Sequence, residues 1–421
     1  MSNDFLIIND KVYTYDNLIN EINDIDCFNR YIYVENNMPY EVFKRIIHSI
    51  VYDYPIELID GDFSDNEIQK MDIPLNDIKT CTVLLNNKHQ IKDYNCLISM
   101  LNEKIKSSKQ DWSLSLYTSG TTGRPKKITH TLQSIARNVK VSERHKDDVW
   151  GFAYNPTHMA GIQVFFQALF NGNKIIYIFD DARKNVKELL EKYKITHISA
   201  TATYYRNILP YLKSHKFDYV RNITLGGEKC DVKLLGEISK IFPDCRMKNI
   251  YASTEAGSLF VSNGEDFEIP AEIREFIKIN DRDELLINKK LLGFSENFNL
   301  QDDWYNTNDI VEKISENKFR FKSRKTDMIN VGGYKVNSLE VEEIILEIDG
   351  ILNVYVYGRE NKVTGNIVAA DIVMEDGFSD TDIKKKIRNH LEKSLQSWKI
   401  PRIINIVDKI EQTRTGKKVR K

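Results

Sequence analysis

Cysteine is scarce and unpaired in this sequence. Cys27, Cys81, Cys96, Cys230 and Cys245 are odd in number, widely spaced and free of any C-x-x-C, which speaks against a disulfide framework or a cysteine-based zinc site. Buried, reduced thiols are the expectation. Charge of one sign is missing too: 60 basic side chains stand against 61 acidic ones, so bulk electrostatics point to neither nucleic acid nor an anionic membrane. No long hydrophobic run exists either. The longest, from His158 to Phe170, is broken by Gln163 and Gln167 and falls short of the roughly 20 residues that span a bilayer. The opening Met1-Ser2-Asn3-Asp4 lacks the cationic and apolar regions of an export signal. Tandem repeats and low-complexity tracts are absent as well. These gaps lead to an expected cytoplasmic location with no membrane and no nucleic-acid partner.

What is present is enough for several cores. The chain has 421 residues, 41% hydrophobic and 29% charged, a length that predicts two or three globular domains. The first hundred residues read as a compact α/β unit: strands Phe5 to Ile8 and Lys11 to Tyr15 flank Asn9-Asp10, and a strand, helix, strand pattern runs from Tyr31 to Ile59. Further on, Val186, Leu189, Leu190 and Tyr193 repeat at helical spacing between strands Lys174 to Phe179 and Ile195 to Ser199. The alternation continues to a strand ending at Tyr251. It predicts an α/β fold with mostly parallel sheets flanked by helices, whose ligands gather at the carboxyl ends of the strands. Near Lys322 to Asp327 a linker is expected, dividing a large domain (1–322) from a small, mobile α+β domain (323–421). In the latter, Val341, Ile344, Ile345 and Ile348 form a helix stripe entered through an Asn337/Glu340 capping box and stopped by Gly350.

One loop stands out chemically. After the apolar strand Leu116-Tyr117 come Thr118, Ser119, Gly120, Thr121, Thr122, Gly123, Arg124, Pro125 and Lys126. The glycines let backbone N–H groups approach an anion, the hydroxyls add donors, and Lys126 supplies a point charge, which together suit a polyphosphate. A polar hairpin turn is the plainer alternative. A Walker P-loop fails on spacing, because Pro125 stands where its second glycine would be.

From this loop onward the sequence resembles the acyl-adenylate-forming superfamily of AMP-binding enzymes, which includes acyl-CoA and aryl-CoA ligases, amino-acid adenylation domains and luciferases. Further segments fall in that family's order: 156–161 (PTHMAG), Gly226-Gly227-Glu228, 251–255 (YASTE), 304–309 (WYNTND), Arg324 to Glu342, and 413–417 (TRTGK). The likeness covers the chain from about Leu116 to its end. Relatives usually carry more chain before the loop, so the N-terminal region reads as shortened.

The resemblance implies a carboxylate that attacks the α-phosphorus of ATP, releases pyrophosphate and is then captured by a thiol. It implies ATP, Mg²⁺ and CoA, or carrier-protein pantetheine, as cofactors, a small carboxylic acid as substrate, and an acyl carrier protein as a possible partner. ATP would lie on Thr118 to Gly123, Gly227, Glu228 and Tyr251. Thr254 would donate to phosphate and Glu255 would hold the metal. Asp309 would accept the ribose hydroxyls, with Arg324 beside it. Lys417 would join carboxylate and α-phosphate, and Gly332, Gly333 and Lys335 would form the loop that meets the thiol. His158, Met159, Gly161 and Tyr204 are candidates for the acid pocket, although a histidine capping a buried element and ordinary core packing explain them equally well. Segment 157–163 has no aspartate for a substrate ammonium, which lowers an α-amino acid. Departures at Ala252, Asn308 and Glu411 keep open a catalytically silent nucleotide-binding relative.

Overall fold

The computed structural model describes the chain apart from residues 1–2, 25–32, 36–37, 62, 72, 74–77, 79–89, 108–111, 119–124, 180–183, 229, 332–333, 362–363, 376, 412–417 and 419–421. Asn9 and Asp10 both take positive φ, 48° and 65°, the geometry of a two-residue hairpin loop. They join β1 (Asp4–Ile8) antiparallel to β2 (Lys11–Thr14). Next, α1 (Tyr15–Asp24) buries Tyr15, Leu18, Ile19 and Ile22 on one face. β3 (Tyr33–Glu35), α2 (Pro39–Val51) and β4 (Ile56–Ile59) make the expected parallel crossover. Pro39 opens α2, where its missing N–H removes no helical bond. After α3 (Tyr94–Lys106), β5 (Leu114–Thr118) pairs parallel to β4, and β6 (Lys126–His130) returns antiparallel.

The first hundred residues do not form a unit of their own, contrary to the expectation from sequence. β3 and β4 share a four-stranded sheet with β5 and β6, whereas β1 joins a different, larger sheet. The reason is area. A lone hairpin is marginal in water, and Phe5 and Leu6, both fully buried, are covered only when β1 lies along a strand far away in sequence.

That larger sheet has a parallel centre. β7 (Val149–Phe152), α4 (Met159–Phe170), β8 (Lys174–Tyr177), α5 (Val186–Tyr193), β9 (His197–Ala200), α6 (Ala202–Leu212), β10 (Asn222–Gly226), α7 (Val232–Ile241) and β11 (Arg246–Ser253) alternate along the chain. β1, β8, β7, β9, β10 and β11 lie side by side, all parallel. β11 continues two residues past Tyr251. The apolar run near 160 becomes α4, a 12-residue helix buried on nearly all sides, with Phe165 stacked on Phe43 at 4.1 Å. Burial of each such ring contributes about 2–3 kcal/mol. Beyond β11 the sheet turns antiparallel through β12 (Gly257–Asn263), β13 (Asp266–Glu268), β14 (Ile277–Ile279), β15 (Glu284–Asn288), β16 (Leu300–Gln301), β17 (Trp304–Ser315) and β18 (Lys318–Arg324).

At the amino ends of the parallel strands, Asp148 bonds His145 Nδ1 at 2.8 Å and lies 3.4 Å from His197 Nε2. Thr196 and Asn222 occupy the two ring nitrogens of His197, and Arg221 faces Asp148. With a guanidinium already beside the carboxylate, the cluster is a closed hydrogen-bond network rather than a cation site.

β18 runs on through 322 and 323 to Arg324, and the chain leaves the sheet through the short turn Lys325–Asp327. β19 (Met328–Val331), β20 (Tyr334–Asn337), α8 (Ser338–Leu346), β21 (Ile351–Asn361), β22 (Gly365–Met374), α9 (Asp380–Ser394) and β23 (Ile403–Ile406) follow. They enclose a separate core that includes Val341, Ile345, Val354, Ile383 and Ile387. Asn337 caps α8 by accepting from the Leu339 N–H, but the expected capping box is incomplete: the Glu340 carboxylate is drawn to Lys399, 2.7 and 2.8 Å away. A charged partner outcompetes a backbone donor at a partly wet helix start. Lys233 of α7 ties this C-terminal unit to the large sheet, donating to the Leu346 and Ile348 carbonyls at 2.9 and 3.2 Å. These are the exposed acceptors at the end of α8, where a cation is favoured. Among the described residues no helix is long and apolar enough to cross a membrane.

Candidate active site

Thr118 and Lys126 pair directly across the β5/β6 ladder, so the glycine- and hydroxyl-rich segment links two strands of a hairpin. Ser119, Gly120, Thr121, Thr122 and Gly123 lie outside the described residues. So do Lys417 and the Gly332-Gly333 pair, whose flanking residues Val331 and Tyr334 face each other in the β19/β20 hairpin. Lys335 is exposed on β20.

The 254–255 segment forms the turn after β11. Gly293 N–H donates to the Glu255 carbonyl at 2.7 Å. His130, at the end of β6, donates through Nε2–H to the Thr254 carbonyl at 2.7 Å. His130 thus fastens the β5/β6 hairpin to the turn that carries Thr254 and Glu255. Gly293 makes room for it, since a Cβ there would meet the imidazole at 2.7 Å and the Thr129 carbonyl at 2.8 Å. Burial lowers the His130 pKa to about 4, so the ring is neutral at pH 7.

This titration has a measurable consequence. An unfolded histidine binds its proton near pH 6.5, well before the folded ring does at about 4. Protons therefore favour the unfolded chain first: the stability is whole above pH 6.5 and is lost as pH falls through the window down to 4. His197, also lowered to about 4 by burial, acts in the same direction. His130→Gln keeps a donor for Thr254 but cannot titrate. Unfolding free energies from urea titrations between pH 7 and 4.5 are expected to fall less steeply in this variant, by up to about 1.4 kcal/mol per pH unit; parallel curves would refute the assignment.

Asp309 is placed by a distortion in β17. Glu284 pairs with Ile310 and Leu286 with Asn306, so three residues of β17 face one of β15. Within this bulge Asn308 takes φ 60°, a left-handed geometry that asparagine tolerates. The Asn306 side chain accepts from Asn308 N–H and Thr307 Oγ1 accepts from Asp309 N–H. Asp309 is thereby turned inward, fully buried, directly opposite Arg324 on β18. Arg324 Nε donates to Oδ1 at 2.6 Å, Nη2 to Oδ2 at 3.3 Å, and the Tyr251 hydroxyl to Oδ2 at 2.5 Å. A carboxylate has about four lone-pair positions, and three are taken. Burial and the Asp309 charge push the Tyr251 phenol well up. Its ring sits edge-on among Phe267 and Phe319 and tilted on Phe260, so in this structure Tyr251 orients Asp309. The Arg324 pKa is lowered by burial but raised more by Asp309 and its other neighbours.

Behind the bulge Glu284, 4% exposed, accepts from Asn280, Asn306 and Lys325, each at 2.9 Å. Those bonds, Asn280 first, draw its pKa to about 2. One buried carboxylate thus ties the Asp309 bulge to the turn that leads into the C-terminal unit.

Glu228 follows Gly227, whose φ is 78°. Its carboxylate accepts from Thr203 N–H at 2.8 Å, Thr203 Oγ1 at 3.0 Å and Lys418 N–H at 3.1 Å. It covers the start of α6 and receives the C-terminal tail. At the proposed acid pocket, His158 stands at the N-cap position of α4 without capping it; its Nε2 lies 3.0 Å from Asp60, which also accepts from Asn155 at 3.0 Å. Gly161 presses α4 against β7, a Cβ there meeting the Asn155 carbonyl at 2.6 Å. Met159 and Tyr204 are not brought together: they belong to different cores, and the Tyr204 hydroxyl is bonded to the Ile178 carbonyl.

Sequence reasoning missed His130, Gly293, Glu284, Asp60 and Lys418. None carries a local signal, apart from the motif beside Lys418. Each acts through a partner far off in the chain.

The AMP-binding enzyme family profile matches residues 57–275, more than half of the chain, and its C-terminal domain matches 340–417. The chain belongs to the AMP-binding enzyme family. Among curated relatives of this AMP-binding protein, 2-succinylbenzoate–CoA ligase of Listeria monocytogenes serotype 4b (strain F2365) is 28% identical over 337 residues, 73% of this chain and 70% of that protein. The 4-hydroxybutyrate–CoA ligase 1 of Metallosphaera sedula is 26% identical, covering 73% of this chain and 61% of its own. Gramicidin S synthase 2 of Brevibacillus brevis is 24% identical over 74% of this chain and 8% of its own length. The fold matches that of o-succinylbenzoate CoA synthetase (MenE) from Bacillus subtilis, solved with its acyl-adenylate intermediate, with a TM-score of 0.71 at 18% identity over 99% of this chain and 94% of that one.

Proposed function

We propose that this protein activates a small carboxylic acid with ATP, releasing pyrophosphate, and passes the acyl group from the acyl-adenylate to the thiol of CoA. One observation carries the reading: segments distant in sequence converge, with the β5/β6 hairpin fastened to the Thr254-Glu255 turn, and Tyr251, Asp309 and Arg324 in one network. The large domain, 1–322, holds acid and ATP. The small one, 323–421, brings Lys417 and then the 332–335 loop. Charge migrates during in-line displacement at the α-phosphorus, so oriented donors and cations do the catalysis and no protein nucleophile is needed.

Glu255 fits a hard ion that prefers one or two carboxylates together with phosphate oxygens. It would hold Mg²⁺, which when bound neutralises charge on the phosphates. Asp309 and Arg324 orient the ribose, Lys126 and the loop hydroxyls meet the phosphates, and His158, oriented by Asp60, faces the acid. The likeness to a short stretch of gramicidin S synthase 2 supports a second acceptor, a carrier protein's pantetheine. The free thiols Cys96, Cys230 and Cys245 suit the reducing cytoplasm, with burial pushing Cys230 up to about 12.

Pyrophosphate exchange over a panel of acids tests the first step; no exchange with any acid would favour a silent nucleotide-binding relative. Thioester assays with CoA and carrier proteins test the second. Gly333→Leu separates the two steps. A side chain on that loop would obstruct a pantetheine arm, so acid-dependent exchange is expected to survive while thioester formation stops. A parallel loss of both would make the loop structural.

A further inference from the structure

Lys418 sits in a basic tail whose charges, taken alone, read as solvated. In the fold it is buried: its side chain is 7% exposed and that of its partner Glu342 is 5% exposed. The ammonium donates to Glu342 Oε2 at 3.0 Å and to the Val354 carbonyl at 2.6 Å. Glu342 is itself fixed, accepting from the Val356 N–H at 3.0 Å. Both side-chain bonds lie inside the C-terminal unit, on α8 and β21. The backbone N–H of the same residue points the other way, to Glu228 beside the large sheet. Burial lowers the ammonium's pKa, Glu342 works against this and Arg206 adds to it.

A buried ammonium that lost its carboxylate would be strongly disfavoured, so the side chain binds the tail firmly to the C-terminal unit. The N–H to Glu228 bond is different, because it exists only while that unit is docked on the large sheet. The residue before Lys418 in sequence is Lys417, about 3.8 Å away along the chain. We propose that Lys418 is a positioning residue for acyl-adenylate formation: it locks the tail into the C-terminal unit and latches onto Glu228 in the docked arrangement, presenting Lys417 to the carboxylate and the α-phosphate. This rests on the proposed function. The latch is released when the unit turns for the second step, while the pair with Glu342 travels with it.

The test separates the half-reactions. With an acid the wild type accepts, Lys418→Met is expected to slow adenylation about 10²-fold, the scale of an ångström-sized misplacement, with the KM for ATP little changed. Thioester formation from supplied acyl-adenylate and CoA should stay near wild type, and Lys418→Arg should recover part of the adenylation rate. Equal loss in both half-reactions, or wild-type adenylation, overturns the latch and leaves the site reading intact. If Lys418→Met fails to fold because the buried Glu342 charge has lost its ammonium, the double variant Glu342→Gln/Lys418→Met removes both charges. A folded double variant that loses adenylation alone supports the latch; one at the wild-type rate, or one that also fails to fold, overturns it. A wild type that exchanges pyrophosphate with no acid overturns the site reading and the latch with it.

Discussion

Lys417→Ala is expected to slow acyl-adenylate formation by roughly 10²- to 10³-fold, the loss seen when one oriented donor is removed from a transition state. The α-phosphorus gathers negative charge as the carboxylate attacks and pyrophosphate departs. A cation placed there stabilises that arrangement more than the bound nucleotide. Two consequences follow. Nucleotide affinity, read by equilibrium binding, should hardly change, and thioester formation from supplied acyl-adenylate should continue. The contrast with Lys418→Met is informative, because the arginine variant there should recover activity whereas Lys417→Arg would shift the charge itself. Equal losses of ATP binding and rate in Lys417→Ala would remove the lysine from the chemistry.

Asp309→Asn is expected to weaken ATP by roughly 10²-fold, on the scale of one or two charged hydrogen bonds lost at about 1.5–3 kcal/mol each. The carboxylate is fully buried and already binds Arg324 and Tyr251. It has about one lone-pair position left, so accepting two ribose hydroxyls requires a present donor to give way. Arg324, half exposed, is the one able to move. An amide in place of the carboxylate has one acceptor oxygen, not two, and no charge to hold the guanidinium. Thermal stability should therefore fall as well. The discriminating measurement is the KM for ATP in variants that remain folded. A stability loss with unchanged KM would mean that the pair is a cross-strand brace and not a ribose site.

The motifs were legible because their chemistry is local. A helical stripe at Val341, Ile344 and Ile345 is set by neighbours a few residues away, and the structure has that helix, although it ends at Leu346, before Ile348. The same holds for the Asn9-Asp10 hairpin and for the alternation of strand and helix from Lys174 to Tyr251. Family membership also lay in the order of those motifs, and profile matches over 57–275 and 340–417 establish it.

What only the tertiary structure decided is who stands beside whom. β1 looked like part of a local unit, yet pairs with β8 because the apolar faces of a short hairpin need a distant neighbour. Glu340 looked like half of a capping box and pairs with Lys399. His130, Glu284 and Asp60 have no pattern in the sequence, and the motif beside Lys418 does not reveal its partners, because hydrogen bonds and ion pairs depend on distances of about 3 Å between residues separated by tens to hundreds of positions. Sequence order carries the residue types that the chemistry requires; burial and long-range pairing fix their protonation, their orientation and the partner that holds each in place.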